Sequence, residues 1–363
     1  MHRRSSEKTF IIAEAGVNHN GSLDMACALV DVAAAAGADA VKFQTFKATE
    51  VISRYAPKAY YQQLTTSAKE SQLEMVQRLE LSEADHRILI NHAKTKKIEF
   101  LSTPFDLPSL RLLTDRFRLS TIKIPSGEIT NGPFLLEIAK TGRNVIMSTG
   151  MNTLGEVEAA LGVLAFGYTA TIDQDPSLKA FASAFAFDVG QSALREYVSL
   201  LHCTTEYPAP YTEVNLRAMD TLANAFGLPV GLSDHTMGIH IPIAAVARGA
   251  KIIEKHFTLD RSLPGPDHAA SLEPTELEEM VRSIREVEMA LGDGVKRPTD
   301  SEMKNRDIVR KSLVAAKPIL TGQVIDKGDI AIKRPGTGLS PMCYWDYIGV
   351  KSDLDYSVDE MLA

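Results

Sequence analysis

The sequence predicts an α/β protein built on a (β/α)8 TIM barrel, followed by a small β-rich domain. Over the first three-quarters of the chain, short β-branched and aromatic segments alternate eight times with helical patterns. The first of these segments runs into GVNHNG rather than the GxGxxG turn of a dinucleotide-binding sheet. Eight strand–helix units in succession therefore favour a closed barrel over an open, doubly wound sheet.

The predicted strands are rich in β-formers and are bounded by turn-forming residues; in order they read FIIAEAGV, ADAVKFQTF, IEFLSTPF, STIKIPSG, NVIMSTG, VSLLHCTT, PVGLSDHT and KIIEKHFT. The first helical stretch lies between Ser22, a suitable N-terminal cap, and Gly37, a suitable end. The last stretch carries one apolar stripe at helical spacing, formed by Leu277, Met280, Val281 and Ile284.

Two connections are longer than a compact barrel needs. Residues 48–70 contain the aromatic pair Tyr60 and Tyr61 and are predicted to form a lid over the barrel mouth. Residues 166–197 are predicted to be an insertion before strand six. Long connections are often functional, but either segment could equally be a decorated surface loop.

The composition and pattern of the chain change near residue 295, where a polar and charged stretch precedes short β-like segments without long helices. We therefore predict a catalytic barrel domain over residues 1–292, a linker over 293–304 and a small domain over 305–363. About 60 residues suffice for such an appended domain.

The composition of the 363-residue chain, 45% hydrophobic and 23% charged, is that of an ordinary globular protein. The net charge of -7 argues against nucleic-acid or membrane-surface partners, and no apolar run approaches the roughly 20 residues of a membrane span. Cys27, Cys203 and Cys343 are few and far apart, as in a reducing compartment. We expect a cytoplasmic protein in which each cysteine is a small buried apolar residue.

Polar side chains gather near the ends of the predicted strands, where barrel enzymes have their active sites. Because side chains alternate along a strand, polar residues two apart face the same side. Burying so many polar groups without partners would cost several kcal/mol each, so the pattern predicts an active site. Its members are Glu14, Lys42, Gln44, Thr103, Lys123, Ser126, Glu128, Ser148, Thr205, Ser233, His235, Glu254 and His256.

Three kinds of chemistry follow from these residue types. His235 and His256, on neighbouring strands, could hold a divalent metal, although they could also be two unrelated hydrogen-bonded histidines. Lys42 and Lys123 could form a cationic cup for a phosphate, unless both side chains extend outward. Carboxylates such as Glu14 could serve as acid or base, or could simply pair with those lysines.

Glu128 is the second carboxylate candidate for acid–base work. The residues alone indicate reaction of a phosphorylated small molecule and do not identify it.

The motifs FIIAEAGVNHNGS, DAVKFQTF, LSTPFD, IKIPSGEI, STGM, LHCTTEYPAP, GLSDHT, IEKHFTLD and GPDH occur here in the order seen in sialic acid (nonulosonic acid) synthases. The resemblance covers nearly the whole chain. The tail, with IAIKRPGTGL, resembles the antifreeze-like (SAF, β-clip) domain of these enzymes.

The resemblance implies a transferase that condenses phosphoenolpyruvate with the open-chain aldehyde of an N-acylated amino sugar, adding water and releasing phosphate. It implies a divalent metal on His235 and His256, manganese first, with magnesium or cobalt as alternatives. The implied phosphoenolpyruvate site comprises Lys42, Thr103, Lys123, Ser126, Ser148 and Ser233. The implied sugar and acid–base positions are Glu14, Gln44, Glu128, Tyr207 and Asp267.

Arg334, in KRPG of the tail, matches an arginine that the family supplies from one subunit to the active site of the other, which implies a domain-swapped homodimer. The plain alternative for Arg334 is an exposed arginine. Some family members carry asparagine where this chain has Thr205, and Glu206 also varies, so the sugar stays open. We expect N-acetylmannosamine, giving N-acetylneuraminate; the alternative is a 2,4-diacetamido-trideoxy hexose, giving a legionaminate.

Two rival readings belong to other classes. A metal-dependent hydrolase on the same barrel would explain the histidines and carboxylates but would not need two inward lysines. A non-catalytic protein that binds a sugar or an ice surface is suggested by the tail alone, and such fold-level likeness does not establish a function.

Overall fold

The computed structural model describes residues 8–58 and 71–363. The chain forms two compact units, one ending at Gly292 and the other running from Asp293 to Ala363. Each unit has an apolar core of its own. Among the described residues, no helix is both long enough and apolar enough to cross a membrane.

Eight parallel strands form the sheet of the first unit, in the order β3-β2-β1-β8-β7-β6-β5-β4. The end strands β3 and β4 lie against each other, so the sheet curls into the predicted TIM barrel, and this prediction is confirmed. The strands are β1 (Phe10–Gly16), β2 (Ala40–Thr45), β3 (Glu99–Pro104), β4 (Thr121–Ile124), β5 (Asn144–Ser148), β6 (Val198–Cys203), β7 (Val230–Asp234) and β8 (Ile252–His256).

Helices connect these strands, among them Leu23–Ala35, Ala48–Val51, Gln72–Gln77, Glu83–Lys96, Leu107–Arg111, Gly132–Lys140, Leu154–Thr169, Leu178–Ala186, Asp188–Tyr197, Ala218–Phe226, His240–Ala247 and Pro274–Leu291. A π-helical turn, Leu112–Arg116, continues the helix that follows β3. The predicted helix signals are confirmed: the Ser22 side chain accepts from the Met25 amide, and the buried residues of the last helix are the predicted stripe.

The barrel interior changes from apolar to polar over one step of the strand alternation. An apolar floor is formed by Ile12, Ala40, Leu101, Ile146, Leu201 and Ile252. Two residues further along each of those strands, on the same face, stand Glu14, Lys42, Thr103, Ser148, Cys203 and Glu254. The polar layer therefore lies at the carboxyl ends of the strands, directly above the apolar floor.

The two long connections differ in how far the structure describes them. In the predicted lid, residues 48–58 begin with the short helix Ala48–Val51, whereas Tyr60 and Tyr61 lie outside the described residues. The predicted insertion before strand six is mostly helical, and the Phe166 and Phe181 rings meet edge to face with centroids 5.3 Å apart. It therefore contributes to the outer packing of the barrel unit.

The second unit contains an antiparallel pair, β9 (Ser312–Ala315) and β10 (Ile330–Lys333), over a small apolar cluster. A short helix, Tyr344–Tyr347, follows. The structure differs from the expected tail in one respect, because a helix, Asp300–Val309, crosses the predicted boundary between linker and small domain. Thr299 and Glu302 form a capping box at its start.

Candidate active site

A cavity of about 310 Å³ opens at the carboxyl ends of the barrel strands. Its size and mixed lining are those of a small-molecule site. The predicted residues that line it are Glu14, Lys42, Gln44, Thr103, Lys123, Ser126, Ser148, Thr205, Tyr207, Ser233, His235, Glu254, His256 and Asp267.

Lys42 is buried at the centre of this cavity. Its Nζ lies 2.7 Å from Oε2 of Glu14 and 3.5 Å from Oε2 of Glu254, and it donates to the Thr103 hydroxyl over 3.0 Å. Register pairing of Glu14 with Lys42 across β1 and β2 produces the first of these contacts. The inward orientation predicted for this lysine therefore holds.

Lys123 approaches the same centre from β4. Its Nζ donates to the Ser148 hydroxyl over 2.7 Å and lies 3.8 Å from Oε1 of Glu254. The Ser233 hydroxyl donates to the same Oε1 over 2.9 Å. Glu254 thus connects the two lysines to the end of β7.

Burial and neighbouring charges move the two central carboxylates in opposite directions. Burial raises the pKa of Glu14 to about 7, with the charge of Glu254 adding to the rise and Lys42 opposing it. Burial would raise the pKa of Glu254 too, but the ammonium groups of Lys123 and Lys42 hold it well below its usual range. One carboxylate is therefore poised to exchange a proton near neutral pH while the other stays ionised.

His235 and His256 come together at the ends of β7 and β8, with ring centroids 5.5 Å apart. Tyr207 covers both: it stacks on His235 with centroids 4.1 Å apart and meets His256 edge to face at 5.6 Å. Nδ1 of His235 lies 2.6 Å from the Thr204 carbonyl oxygen. Because that oxygen can only accept, Nδ1 carries the proton and Nε2 keeps a free lone pair.

The chemistry of this pair fits a divalent metal. Burial lowers the pKa of His235 to about 4 and that of His256 well below its ordinary value, so both rings are neutral, the form that ligates metals. Nδ1 of His256 is buried without a hydrogen-bond partner among the described residues, 3.9 Å from Oδ2 of Asp267. Within the described residues no three His, Cys, Asp or Glu side chains group around one point, so the protein would supply two imidazoles and leave other positions open.

Ser126 anchors a tightly packed corner of the cavity. Its hydroxyl accepts from the Gly150 amide over 2.9 Å and lies 3.3 Å from the Cys203 sulfur. A Cβ on Gly150 would stand 2.4 Å from the Thr205 hydroxyl and 2.7 Å from that sulfur, so only glycine fits there. Cys203 is buried as expected and lines the cavity, whereas Cys27 and Cys343 are only partly buried.

Part of the cavity lining is apolar. This apolar wall comprises Val17, Phe46, Val51, Ile52, Met75, Val76, Leu79 and Phe105. Its residues follow β1, β2 and β3 or belong to the helices Ala48–Val51 and Gln72–Gln77 and the turn after them. Phe46 and Phe105 meet edge to face with centroids 6.2 Å apart.

One predicted residue of the barrel unit, Glu128, does not line the cavity. Glu128 lies in a 3-10 turn, Ser126–Glu128, where its carboxylate accepts from the Asn131 side chain over 2.7 Å. Arg334 belongs to the second unit, where its Nε donates to the Val309 carbonyl over 3.0 Å. Glu254 is one of the predicted strand-end residues, but its contacts with both lysines were not predicted; its position two residues before His256 was the available signal. The apolar wall was missed because its members come from several separate segments.

The fold and site define a TIM-barrel enzyme whose cavity combines two buried lysines with a pair of histidines. Residues 29–296 match the NeuB family. The chain is 52% identical to the N,N'-diacetyllegionaminic acid synthase of Campylobacter jejuni, over 98% of this chain and 99% of that protein. It is 45% identical to the enzyme of the same name from Legionella pneumophila, over 99% and 95%.

Among solved structures, the N-acetylneuraminic acid (sialic acid) synthetase of Leptospira borgpetersenii, crystallised with citrate, superposes with a TM-score of 0.67 at 34% identity, over 83% of this chain and 90% of that one. The chain belongs to the NeuB family of sialic and nonulosonic acid synthases. The prediction of an enzyme of the phosphoenolpyruvate-condensing class is therefore confirmed.

Proposed function

We propose that this enzyme condenses phosphoenolpyruvate with a 2,4-diacetamido-trideoxy hexose and water, giving N,N'-diacetyllegionaminate and phosphate. This reverses the order of the two sugars favoured by the motifs alone, where N-acetylmannosamine came first. The two relatives with 52% and 45% identity are both N,N'-diacetyllegionaminic acid synthases.

The apolar wall is the observation that carries this choice of sugar. A trideoxy sugar ends in a methyl group where N-acetylmannosamine has a hydroxymethyl, and its second acetamido group adds a further methyl. Burying each such carbon stabilises the complex by about 0.8 kcal/mol. Among the described lining residues the lysines are Lys42 and Lys123, and both already lie close to the Glu254 carboxylate. A 6-phosphate against the apolar wall would be desolvated without a cation.

The polar side suits phosphoenolpyruvate. Lys42 and Lys123, with the hydroxyls of Thr103, Ser126 and Ser148, present cationic and neutral donors to its phosphate and carboxylate. Charge-assisted hydrogen bonds of this type are the strongest that side chains offer. Ser233 supports the same end through its hydrogen bond to Glu254.

His235 and His256 would hold the divalent metal, manganese or alternatively magnesium or cobalt. When bound there, the ion would polarise the aldehyde oxygen of the sugar. Tyr207 shields both imidazoles from one side, while Gln44, Thr205 and Asp267 line the space beside them and are assigned to the sugar.

In the reaction, C3 of phosphoenolpyruvate attacks the aldehyde carbon, which leaves cationic character at C2. Water adds at C2, and the tetrahedral intermediate loses phosphate by cleavage of its C–O bond. The added water loses a proton, and the aldehyde oxygen, which becomes an alkoxide, gains one. Glu14, with its pKa of about 7 and its place beside Lys42, is the carboxylate that exchanges these protons in this scheme. Glu128 does not line the cavity and has no proton-transfer role in it.

We further propose a homodimer in which the antifreeze-like tail of one subunit places Arg334 at the active site of the other. Every residue from 289 to 311 is exposed, including the apolar Val295, Met303 and Ile308. A ten-residue helix is only marginally stable alone in water, so we expect another surface to cover the helix Asp300–Val309.

A substrate panel tests the proposed function. Purified enzyme with phosphoenolpyruvate and Mn²⁺ is given the 2,4-diacetamido sugar, N-acetylmannosamine or its 6-phosphate, and phosphate release is followed. We expect the diacetamido sugar to have a kcat/KM at least about tenfold above the others, from two extra buried methyl groups. A higher kcat/KM for N-acetylmannosamine would instead favour an enzyme that makes N-acetylneuraminate. Phosphate release without any sugar would favour a hydrolase.

A further inference from the structure

A buried ion pair lies directly behind the two histidines. Asp234 and Lys255 are register partners on β7 and β8, and their side chains are 1% and 0% exposed. Strand alternation turns them away from the cavity, whose lining includes neither. Each immediately precedes one histidine: Asp234 precedes His235, and Lys255 precedes His256.

The pair belongs to a closed network that brackets His235. The Asp234 carboxylate accepts from the Thr236 amide over 3.1 Å and from the Thr236 hydroxyl over 3.0 Å. Lys255 Nζ donates both to that carboxylate and to the Thr236 carbonyl oxygen. The residues on both sides of His235 are thus tied to the residue before His256.

A role in stability alone accounts poorly for such a pair. Removing two charges from water is costly, and buried ion pairs are often replaceable by apolar residues without loss of stability. Specific placement is what a charged, hydrogen-bonded network adds, and a metal site requires its ligands within a few tenths of an ångström.

We propose that Asp234 and Lys255 are positioning residues that set the separation and orientation of His235 and His256 for a divalent metal. This inference rests on the proposed metal site. It assigns the network no contact with substrate and no part in proton transfer.

The experiment measures Mn²⁺ binding to metal-free protein without substrates, from the electron paramagnetic resonance signal of free Mn²⁺, together with the melting temperature. The main variant, Asp234→Leu/Lys255→Met, removes both charges together and leaves neither one unpaired. Asp234→Asn keeps an amide oxygen that can accept from Thr236 and Lys255, although it leaves the buried Lys255 charge without its counterion. The control, Asp39→Asn, perturbs the Asp39–Arg285 pair just before β2, at the other end of the barrel.

We expect the double variant to bind Mn²⁺ 10–100-fold more weakly, as for other residues that orient metal ligands, with the Asp234→Asn variant in between. The control should change the melting temperature and leave Mn²⁺ affinity as in wild type. If the double variant is folded and its affinity stays within about twofold of wild type, the inference is wrong. If it does not fold, Asp234→Asn decides, and wild-type affinity there overturns the inference.

The wild-type titration separates this inference from its premise. Binding of one Mn²⁺ that is lost in His256→Ala supports the histidine site, and unchanged affinity in the network variants then refutes only the positioning role. Wild-type protein that binds no Mn²⁺ overturns both.

Discussion

Nζ of Lys42 lies 2.7 Å from Oε2 of Glu14, at paired positions of β1 and β2. The same ammonium group lies 3.5 Å from Glu254, so one lysine faces two buried carboxylates. If phosphoenolpyruvate binds at this lysine as proposed, its anion brings further negative charge to a group already shared between two carboxylates. Substrate binding and the proton on Glu14 must therefore be linked.

We predict that phosphoenolpyruvate binding takes up a proton near pH 7.5. The pKa of Glu14 is about 7 in the free enzyme, so at this pH the carboxyl is mostly ionised. A nearby anion raises that pKa further, and the group gains a proton. Titration calorimetry in buffers of different ionisation enthalpy measures the uptake, and Glu14→Gln should abolish it. Equal heats in all buffers for the wild type would contradict the linkage.

The sign of this linkage also fixes a pH trend. Protonated Glu14 favours the anion, so phosphoenolpyruvate affinity should fall as pH rises above about 7. The same dependence should be weaker in Glu14→Gln, whose amide does not titrate.

Lys123 gives a second prediction, which concerns which of the two substrates this lysine binds. Its Nζ donates to Ser148 and lies within the cavity. Lys123→Ala should raise the KM for phosphoenolpyruvate about 10–100-fold, from the roughly 1.5–3 kcal/mol of a charge-assisted hydrogen bond. The KM for the sugar should change little. Steady-state kinetics with each substrate varied in turn measure both, with the surface variant Lys140→Ala as control. A comparable rise for both substrates would count against the assignment.

Strand alternation made the polar half of the site predictable. Once the eight strands are recognised, Lys42 and Glu254 follow from their positions near the strand ends. Glu128 departs from this rule because it comes after β4, in a 3-10 turn that directs its carboxylate to Asn131. Strand parity does not extend into a turn.

The rest of the site depends on contacts between distant segments. Met75 and Phe105 share the apolar wall although 30 positions separate them, and neither shows a local signal for a pocket. The helix Asp300–Val309, which crosses the predicted boundary at residue 304, was not predicted because its composition is polar and charged. Its Thr299–Glu302 capping box is a signal that the sequence does contain.

The apolar wall gives a third prediction, on sugar selectivity. Ile52 lines the cavity just after the helix Ala48–Val51. Ile52→Asn should lower kcat/KM for the 2,4-diacetamido sugar about tenfold, because apolar burial worth 1–3 kcal/mol is lost. The effect on N-acetylmannosamine should be smaller, and the KM for phosphoenolpyruvate should stay constant. Ile88→Asn, on an exposed helix face, is the control. Equal losses for both sugars would show that the wall does not select between them.

Arg334 gives the last prediction. A test of this residue distinguishes a tail that acts within its own subunit from a tail that is exchanged between subunits. Its observed hydrogen bond goes to the Val309 carbonyl oxygen, within its own small unit. If the tails are exchanged, each active site combines Glu14 of one chain with Arg334 of the other. A heterodimer of an Arg334→Ala chain and a Glu14→Ala chain then has one site with both residues intact and one site with neither.

The two chains, carrying different affinity tags, are co-expressed and the heterodimer is purified over both tags. Each homodimer should be inactive, whereas the heterodimer should recover about half of wild-type activity, since one of its two sites is complete. The matched control pairs Glu14→Ala with His256→Ala. Both of these changes lie in the barrel, so each site of that heterodimer lacks one residue and should stay inactive. A purified Arg334→Ala/Glu14→Ala heterodimer as inactive as its parents would show that Arg334 does not act in the partner's site, because tail exchange necessarily restores one complete site.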